Sequence, residues 1–366
     1  MGGWEDRRVR WDLRLESPGP ATRVEIACGA SRDLLRDLEE LSGTFFLVLD
    51  QGFQEGHKTL AESLSEKASG VALIPGGESH KTPEQLIRLC SHIVGAGLGR
   101  GDRVVVLGGG AVLDLGGLAA ALVLRGLPLI QVPTTLLSAV DACLGGKCAV
   151  DLPEGRNLLG AFHFAERIVV DPELLGTLPK TEFSSGLGEV AKYGLGFSKI
   201  LMDWLREIPP LNAQTSPKLL EELVHRCLRI KSDVVLEDPW EKKGLRRTLN
   251  LGHSLAHALE ALAGPDTLNH GNAVALGLRA ELRIGKLSPS EQREGEAFLD
   301  HLGLPNAFEQ VLPSTPKLEE LRVFFSRDKK REGEWIHEPR IHSLGGCHVE
   351  RLKASSYLED AFSALV

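Results

Sequence analysis

The first half of the chain alternates short, unbroken apolar runs with amphipathic stretches. FFLVLD (45–50), VALIPGG (71–77), RVVVLGGG (103–110), PLIQVPTT (128–135) and RIVVDP (167–172) read as strands. Continuous Val/Ile/Leu runs of this kind fit strands buried on both faces of a parallel sheet. Between them, residues from about Pro83 to Val94 and from about Asp114 to Leu124 predict helices. Strands alternating with helices imply βαβ units. After Pro179 the period changes. Segments 217–236, 250–263 and 271–287 place apolar residues at i, i+3, i+4, and few β-branched runs remain. The pattern predicts an α/β domain with a parallel, Rossmann-like sheet over 1–178 and a mainly α-helical domain over 179–366. LPKTEF (178–183) marks the boundary, and 331–350 shows no clear period.

Composition narrows the class. The 366 residues are 42% hydrophobic and 25% charged, which excludes disorder or coiled coil as the main theme. A net charge of −8 argues against a non-specific nucleic-acid binder. It leaves room for an anionic small substrate held by a local basic cluster. Six cysteines without a CxxC pair read as idle thiols rather than a disulfide framework. The opening MGGWEDRRVRWDLRLES is charged throughout, and the longest apolar run, Leu115 to Leu124, is too short to span a bilayer. A cytoplasmic protein without a membrane partner is the expectation. Glycine is the deviation, at 40 residues, 14 of them between 95 and 160.

Those glycines locate candidate chemistry. VVVLGGGAVLD is a strand, three glycines (Gly108, Gly109, Gly110) and a helix carrying Asp114. Glycines let backbone approach a pyrophosphate, and a helix N-terminus supplies N–H donors and a positive dipole. PGGESHK places Glu78 and Lys81 after a second strand, and VPTT places Thr134 and Thr135 after a third. Ligands of open α/β sheets bind at such strand ends. The glycine-rich stretch, including Gly116–Gly117 and Gly145–Gly146, therefore reads as backbone built to approach phosphates.

The stretch from LRG to GRN holds Arg125, Asp141, Lys147, Arg156 and Asn157. A basic residue after paired glycines reads as an anion contact. SGLGEVAKYG sets Glu189 and Lys192 three apart on one helical face, an arrangement an ordinary salt bridge also explains. NLGHSLAHALE sets His253 and His257 four apart, and LNHGNAVALG adds His270. Two histidines with a carboxylate from elsewhere suit a catalytic divalent ion with an open position. The zincin pattern HExxH is absent.

Taken together, PGGESHK, GGGAVLDLGG, LRG, QVPTTLL, VDACLGGK, GRNLLGAF, GEVAKYG, GLRRTLNLGHSLAHALE, HGNAVALG and RDKK resemble the 3-dehydroquinate synthase family of sugar-phosphate cyclases, in family order from about 45 to 331. The resemblance implies an N-terminal nucleotide domain, a C-terminal helical domain and an active site between them. It implies NAD and a divalent metal, zinc or cobalt, a homodimer, and an anionic seven-carbon sugar-acid phosphate as substrate. On this resemblance Glu189, His253 and His270 hold the metal. Substrate contacts are Arg125, Asp141, Lys147, Asn157, Lys192 and Lys231, with Arg246, Asn250, His257 and one of Lys329 or Lys330. Of these, Lys147, Lys192, Arg246, Asn250 and His257 are catalytic, His257 serving proton transfer. Cofactor contacts are Asp50, Glu78, Lys81, Gly109, Gly110 and Asp114, with Thr134, Thr135, Asp141, Lys147, Arg156 and Thr177.

The implied reaction converts 3-deoxy-D-arabino-heptulosonate 7-phosphate to 3-dehydroquinate and phosphate. It runs through transient oxidation by NAD, β-elimination of phosphate, reduction, ring opening and an intramolecular aldol step. The chain departs from the family pattern at Asn272 (usually Glu), Arg156 (usually Lys) and Cys148 (usually Thr), at FHFA (162–165), and by one residue inserted between Lys231 and Arg246. Two neighbouring readings stay open. One is another cyclase, of the amino-dehydroquinate, 2-epi-5-epi-valiolone or 2-deoxy-scyllo-inosose type. Family members with non-carboxylate substrates tend to change the equivalents of Asn250 and His257, both present here. The other is a metal-dependent alcohol or glycerol dehydrogenase, which leaves the Arg125, Lys147 and Lys/Arg set unexplained.

Overall fold

A computed structural model describes residues 11–15, 21–40, 42–264, 267–325 and 331–366. Two compact units form, Met1–Leu178 with Gln214–His225, and Pro179–Ala213 with Arg226–Val366.

The first unit is built on strands β1 (Trp11–Leu15), β2 (Thr22–Ile26), β3 (Phe45–Asp50), β4 (Gly70–Ile74), β5 (Arg103–Gly108), β6 (Leu129–Pro133) and β9 (Arg167–Val170). Among the described residues they make one sheet in the order β1-β2-β9-β6-β5-β3-β4. Pairing is parallel throughout except at the β1–β2 edge. The apolar runs explain this arrangement. Leu47–Leu49 and Val104–Leu107 are wholly buried, as central parallel strands covered on both faces require. Helix α1 (Pro83–Gly95) opens on a Thr82 cap with proline in its first turn.

Helix α2 (Gly110–Leu122) begins at the third glycine, four residues before Asp114. The glycine loop therefore runs straight into a helix N-terminus. Gly116 and Gly117 do something else. A Cβ on Gly116 would lie 2.6 Å from Val106, and one on Gly117 would collide with Cys148. These two glycines seat the helix against its neighbours, so they are packing residues and do not face a phosphate.

A second feature absent from the sequence reading is a ribbon of β7 (Lys147–Leu152) and β8 (Gly155–Phe162), paired antiparallel. The presumed anion stretch is thus a hairpin.

The second unit is led by helices α3 (Lys180–Phe197), the C-terminal part of α4 (Pro217–Glu237), α5 (His253–Ala263) and α6 (His270–Ile284). The ambiguous stretch after residue 330 forms a small antiparallel sheet of β10 (Arg331–Glu332), β11 (Trp335–Ser343) and β12 (Gly346–Lys353), followed by helix α7 (Ala354–Ser363). A helical start at residue 250 is replaced by a 3₁₀ turn (Leu245–Asn250) and a left-handed Gly252, after which α5 begins at His253. Among the described residues no helix is long and apolar enough to cross a membrane.

Candidate metal centre and nucleotide cradle

In the first unit the carboxyl ends of β3, β4 and β5 converge. Asp50 ends β3 and accepts from Gly52 N at 2.8 Å and Phe53 N at 3.3 Å, capping the helix Gln51–Gly56. A Cβ on Gly76 or Gly108 would stand 3.1 or 3.2 Å from the Asp50 side chain. A Cβ on Gly109 would stand 3.1 Å from Thr135, whose hydroxyl meets that of Ser138 at 2.8 Å. Thr134 N donates to Gly108 O at 3.0 Å. Thr177 bonds His57 Nε2 at 2.9 Å, just past the helix that Asp50 caps. The first N–H groups of α2 and its dipole complete a cradle suited to a pyrophosphate.

Beside it lies a buried ammonium. Lys81 is 3% exposed and reaches Asn157 Oδ1 at 2.6 Å, Asp114 Oδ2 at 2.7 Å and Glu78 Oε1 at 3.0 Å. Burial alone would discharge it, but Asp114 and Glu78 outweigh burial and hold its pKa above the usual lysine value. Burial raises Asp114 in turn, against the pull of Lys81. Asp151 accepts from Asn157 N at 2.7 Å, and Arg156 is close enough to favour its charge. The structure therefore brings Glu78, Lys81, Asp114, Arg156 and Asn157 into one cluster.

Other predicted residues of this unit occupy unusual backbone. Arg125 (φ 67°) and Asn157 (φ 55°) are left-handed without being glycine. Asp141 lies in a π-helical turn, Ser138–Ala142. Lys147 is exposed at the start of β7, after Gly145 and Gly146 in positive φ. Strained backbone of this kind persists where the surroundings over-determine it and concentrates at functional sites. Cys148, a departure from the family pattern, is buried, which pushes its thiol pKa up and leaves it inert.

In the second unit three helices deliver one cluster. His253 Nε2 and His270 Nε2 lie 3.2 and 3.1 Å from the same oxygen, Glu189 Oε1. The three donor atoms fall within 4.8 Å of one another. Each imidazole is oriented from behind. His253 Nδ1 faces Leu251 O at 3.0 Å, and His270 Nδ1 faces Glu260 Oε1 at 3.2 Å. Both partners are acceptors, so each Nδ1 donates a hydrogen bond to its partner and each Nε2 is turned inward towards Glu189. This is the outer arrangement that metal-ligating histidines use.

Electrostatics keep the carboxylate of this cluster charged. Burial opposes charge on Glu189, yet Lys192 and His253 hold its pKa well below the usual carboxylate range. Burial also opposes charge on His270, yet Glu260 and Glu189 push it up to about 10. His253 moves the other way, lowered by burial despite Glu189. The donor set is two imidazoles and one carboxylate in a buried pocket, which fits a divalent transition metal.

Glycines make this convergence possible. A Cβ on Gly188 or Gly271 would run into the backbone of the facing helix, so α3 and α6 cross in direct contact beside Glu189 and His270. Gly252 and Gly277 do the same for the turn before His253.

The remaining predicted residues surround this core. The Lys192 ammonium pairs with Glu189 and lies 4.7 Å over the Tyr193 ring. His257 is exposed, its ring 5.5 Å from that of His253, and it stands outside the ligand cluster. Lys231 is 7% exposed and Arg246 3% exposed. Arg246 donates to Pro239 O at 2.9 Å. The loop leading to it wraps around Asp238, which accepts from the backbone N–H groups of Lys242, Lys243, Leu245 and Arg246. Asn250 closes the 3₁₀ turn that follows. Lys329 and Lys330 lie outside the described residues.

Two functional groups escaped the sequence. Glu260 supplies the carboxylate on His270, whereas Asn272 N–H only joins the Asn269 cap of α6. Ser254, next to His253, donates to buried Glu338 at 2.5 Å, tying α5 to β11. The one available signal for Glu260 was a carboxylate seven residues past His253, on the same helical face.

A 2-deoxy-scyllo-inosose synthase structure, complexed with carbaglucose-6-phosphate, NAD⁺ and Co²⁺, superposes with a TM-score of 0.85 at 22% identity, covering 97% of this chain and 100% of that one. A 2-epi-5-epi-valiolone synthase from Streptomyces hygroscopicus, bound to NAD⁺ and Zn²⁺, gives 0.80 at 25% identity over 97% and 99%. The fold is that of the sugar-phosphate cyclases. Residues 71–185 match the family model for the 3-dehydroquinate synthase N-terminal domain and 186–331 that for its C-terminal domain. A 3-dehydroquinate synthase of Pelobacter propionicus is 40% identical over 327 residues, 87% of this chain and 89% of that protein. The chain belongs to the 3-dehydroquinate synthase family.

Proposed function

We propose that the chain converts 3-deoxy-D-arabino-heptulosonate 7-phosphate to 3-dehydroquinate and phosphate, with NAD and a divalent metal. The observation that carries this reading is the convergence of His253 Nε2 and His270 Nε2 on Glu189 Oε1, in a chain of this family. When bound, NAD supplies reversible hydride acceptance and the metal supplies Lewis-acid polarisation of a substrate hydroxyl.

The protein's own groups do the rest. Glu189, His253 and His270 hold the ion, and Glu260 and Leu251 O fix their orientation. Asp50, Gly109, Gly110, Thr134 and Thr135, with the α2 N-terminus, hold the dinucleotide, and Lys81 braces Glu78 and Asp114 beside it. Lys147 and Lys192 bind phosphate, and Arg246 binds the carboxylate as a planar fork. Arg125, Asp141, Asn157, Lys231 and Asn250 orient the ring hydroxyls. His257, one turn beyond His253 and outside the ligand set, moves the proton that ring chemistry requires.

Purified protein with NAD⁺ and Co²⁺ or Zn²⁺ should release phosphate from the seven-carbon keto-acid phosphate, with no net change at the nicotinamide band. EDTA should abolish release. Release from a sedoheptulose phosphate alone, or release indifferent to EDTA, would contradict the reading.

A further inference from the structure

The β11–β12 hairpin carries a second cluster of the same donors, which the proposed reaction does not use. The register sets Arg340 opposite His348 and Glu338 opposite Glu350, so His348 and Glu350 share one face of β12. The pairing slips between Ile341 and Ser343, and the residue in that irregularity is His342. The His342 and His348 rings stack with centroids 3.3 Å apart and 16° between planes. His342 Nε2 stands 3.3 Å and His348 Nε2 3.7 Å from the same oxygen, Glu350 Oε1. All three donor atoms lie within 4.8 Å of one another.

His342 Nε2 is shielded from water and, among the described residues, makes no hydrogen bond. A buried nitrogen aimed at a carboxylate without a hydrogen bond is a costly arrangement unless something bridges the two.

We propose that His342, His348 and Glu350 form an accessory site for a divalent transition metal, clipping β11 to β12. Two imidazoles and a carboxylate suit Zn²⁺, Co²⁺, Ni²⁺ or Cu²⁺, with solvent completing the coordination. This site is the weaker of the two in the chain. His348 is 60% exposed, and the Lys286 ammonium, 3.1 Å from Glu350 Oε1, has to leave when the ion enters.

The test uses the full chain, stripped with EDTA and titrated with Co²⁺ by equilibrium dialysis. Wild type should take up two equivalents, the second more weakly. His348→Ala, a surface change, and Glu350→Gln should each lose one equivalent and keep the tighter one. A wild type that binds a single equivalent which both variants retain would overturn the proposal, as would two equivalents undiminished in both. The equivalent lost with His348 belongs to the hairpin, whatever occurs at Glu189.

Discussion

The two His₂Glu clusters of the second unit use the same donors in opposite settings. Glu189 and His253 are 1% and 7% exposed, whereas His348 of the hairpin is 60% exposed. The buried cluster has an acceptor behind each ring, Leu251 O and Glu260. In both clusters a lysine pairs with the carboxylate, buried Lys192 with Glu189 and exposed Lys286 with Glu350. Residue types alone do not separate a strong site from a weak one. Burial and orientation from behind do, because each acts on the lone pair that meets the ion.

The comparison can be broken in order of effect. Glu189→Gln should remove the tight metal and with it phosphate release. Because Lys192 is left buried beside a neutral group, the variant should also unfold earlier, by about 3–5 kcal/mol. Metal retained at wild-type affinity would show that the carboxylate is only a partner of Lys192. Glu260→Gln should be milder. It keeps a hydrogen-bonding group at His270 Nδ1 but removes the charge, and metal affinity should fall about 10–100-fold in a competition titration. Unchanged affinity would make Glu260 merely structural.

The smallest effect concerns the network behind α5. Tyr357 O–H donates to Glu281 Oε1 at 2.8 Å, Arg340 Nε donates to Glu281 Oε2 at 2.8 Å, and Glu338 holds Ser254. Burial, opposed by Arg340, pushes Glu281 up to about 8. A carboxyl raised on folding binds more protons in the native state than in the unfolded chain. Its contribution is therefore full below the ordinary carboxylate pKa and is lost as pH rises towards 8. Glu281→Gln should flatten the decline in melting temperature between pH 5 and pH 8. An unchanged slope would refute that assignment.

Much of this was legible in the sequence. Unbroken apolar runs marked β3, β5, β6 and β9, because strands buried on both faces leave no polar alternation to misread. The same kind of run marked β4, although Val71 and Leu73 are exposed at the sheet edge. The motif strings identified the family and gathered the residues that the structure brings together around Lys81 and Glu189. The sheet after residue 330 was not legible. Its strands mix His, Arg and Glu with apolar residues, and buried Glu338 is matched by Ser254 and Tyr357, partners far off in sequence. Glu260 escaped for the same reason, since its partner lies on the next helix. Glycine content pointed to phosphate contacts, but Gly116, Gly117, Gly188 and Gly271 serve close packing, a distinction that only neighbouring atoms reveal.

The central claim is that the buried cluster is a metal centre with His257 outside it. Metal content and phosphate release measured side by side in His253→Ala and His257→Ala test it most directly. The account predicts that His253→Ala loses the tight metal equivalent and all activity. His257→Ala should keep the metal and lose about 10²–10⁴-fold in rate, the usual worth of a positioned proton-transfer group. Equal metal loss in the two variants would contradict it.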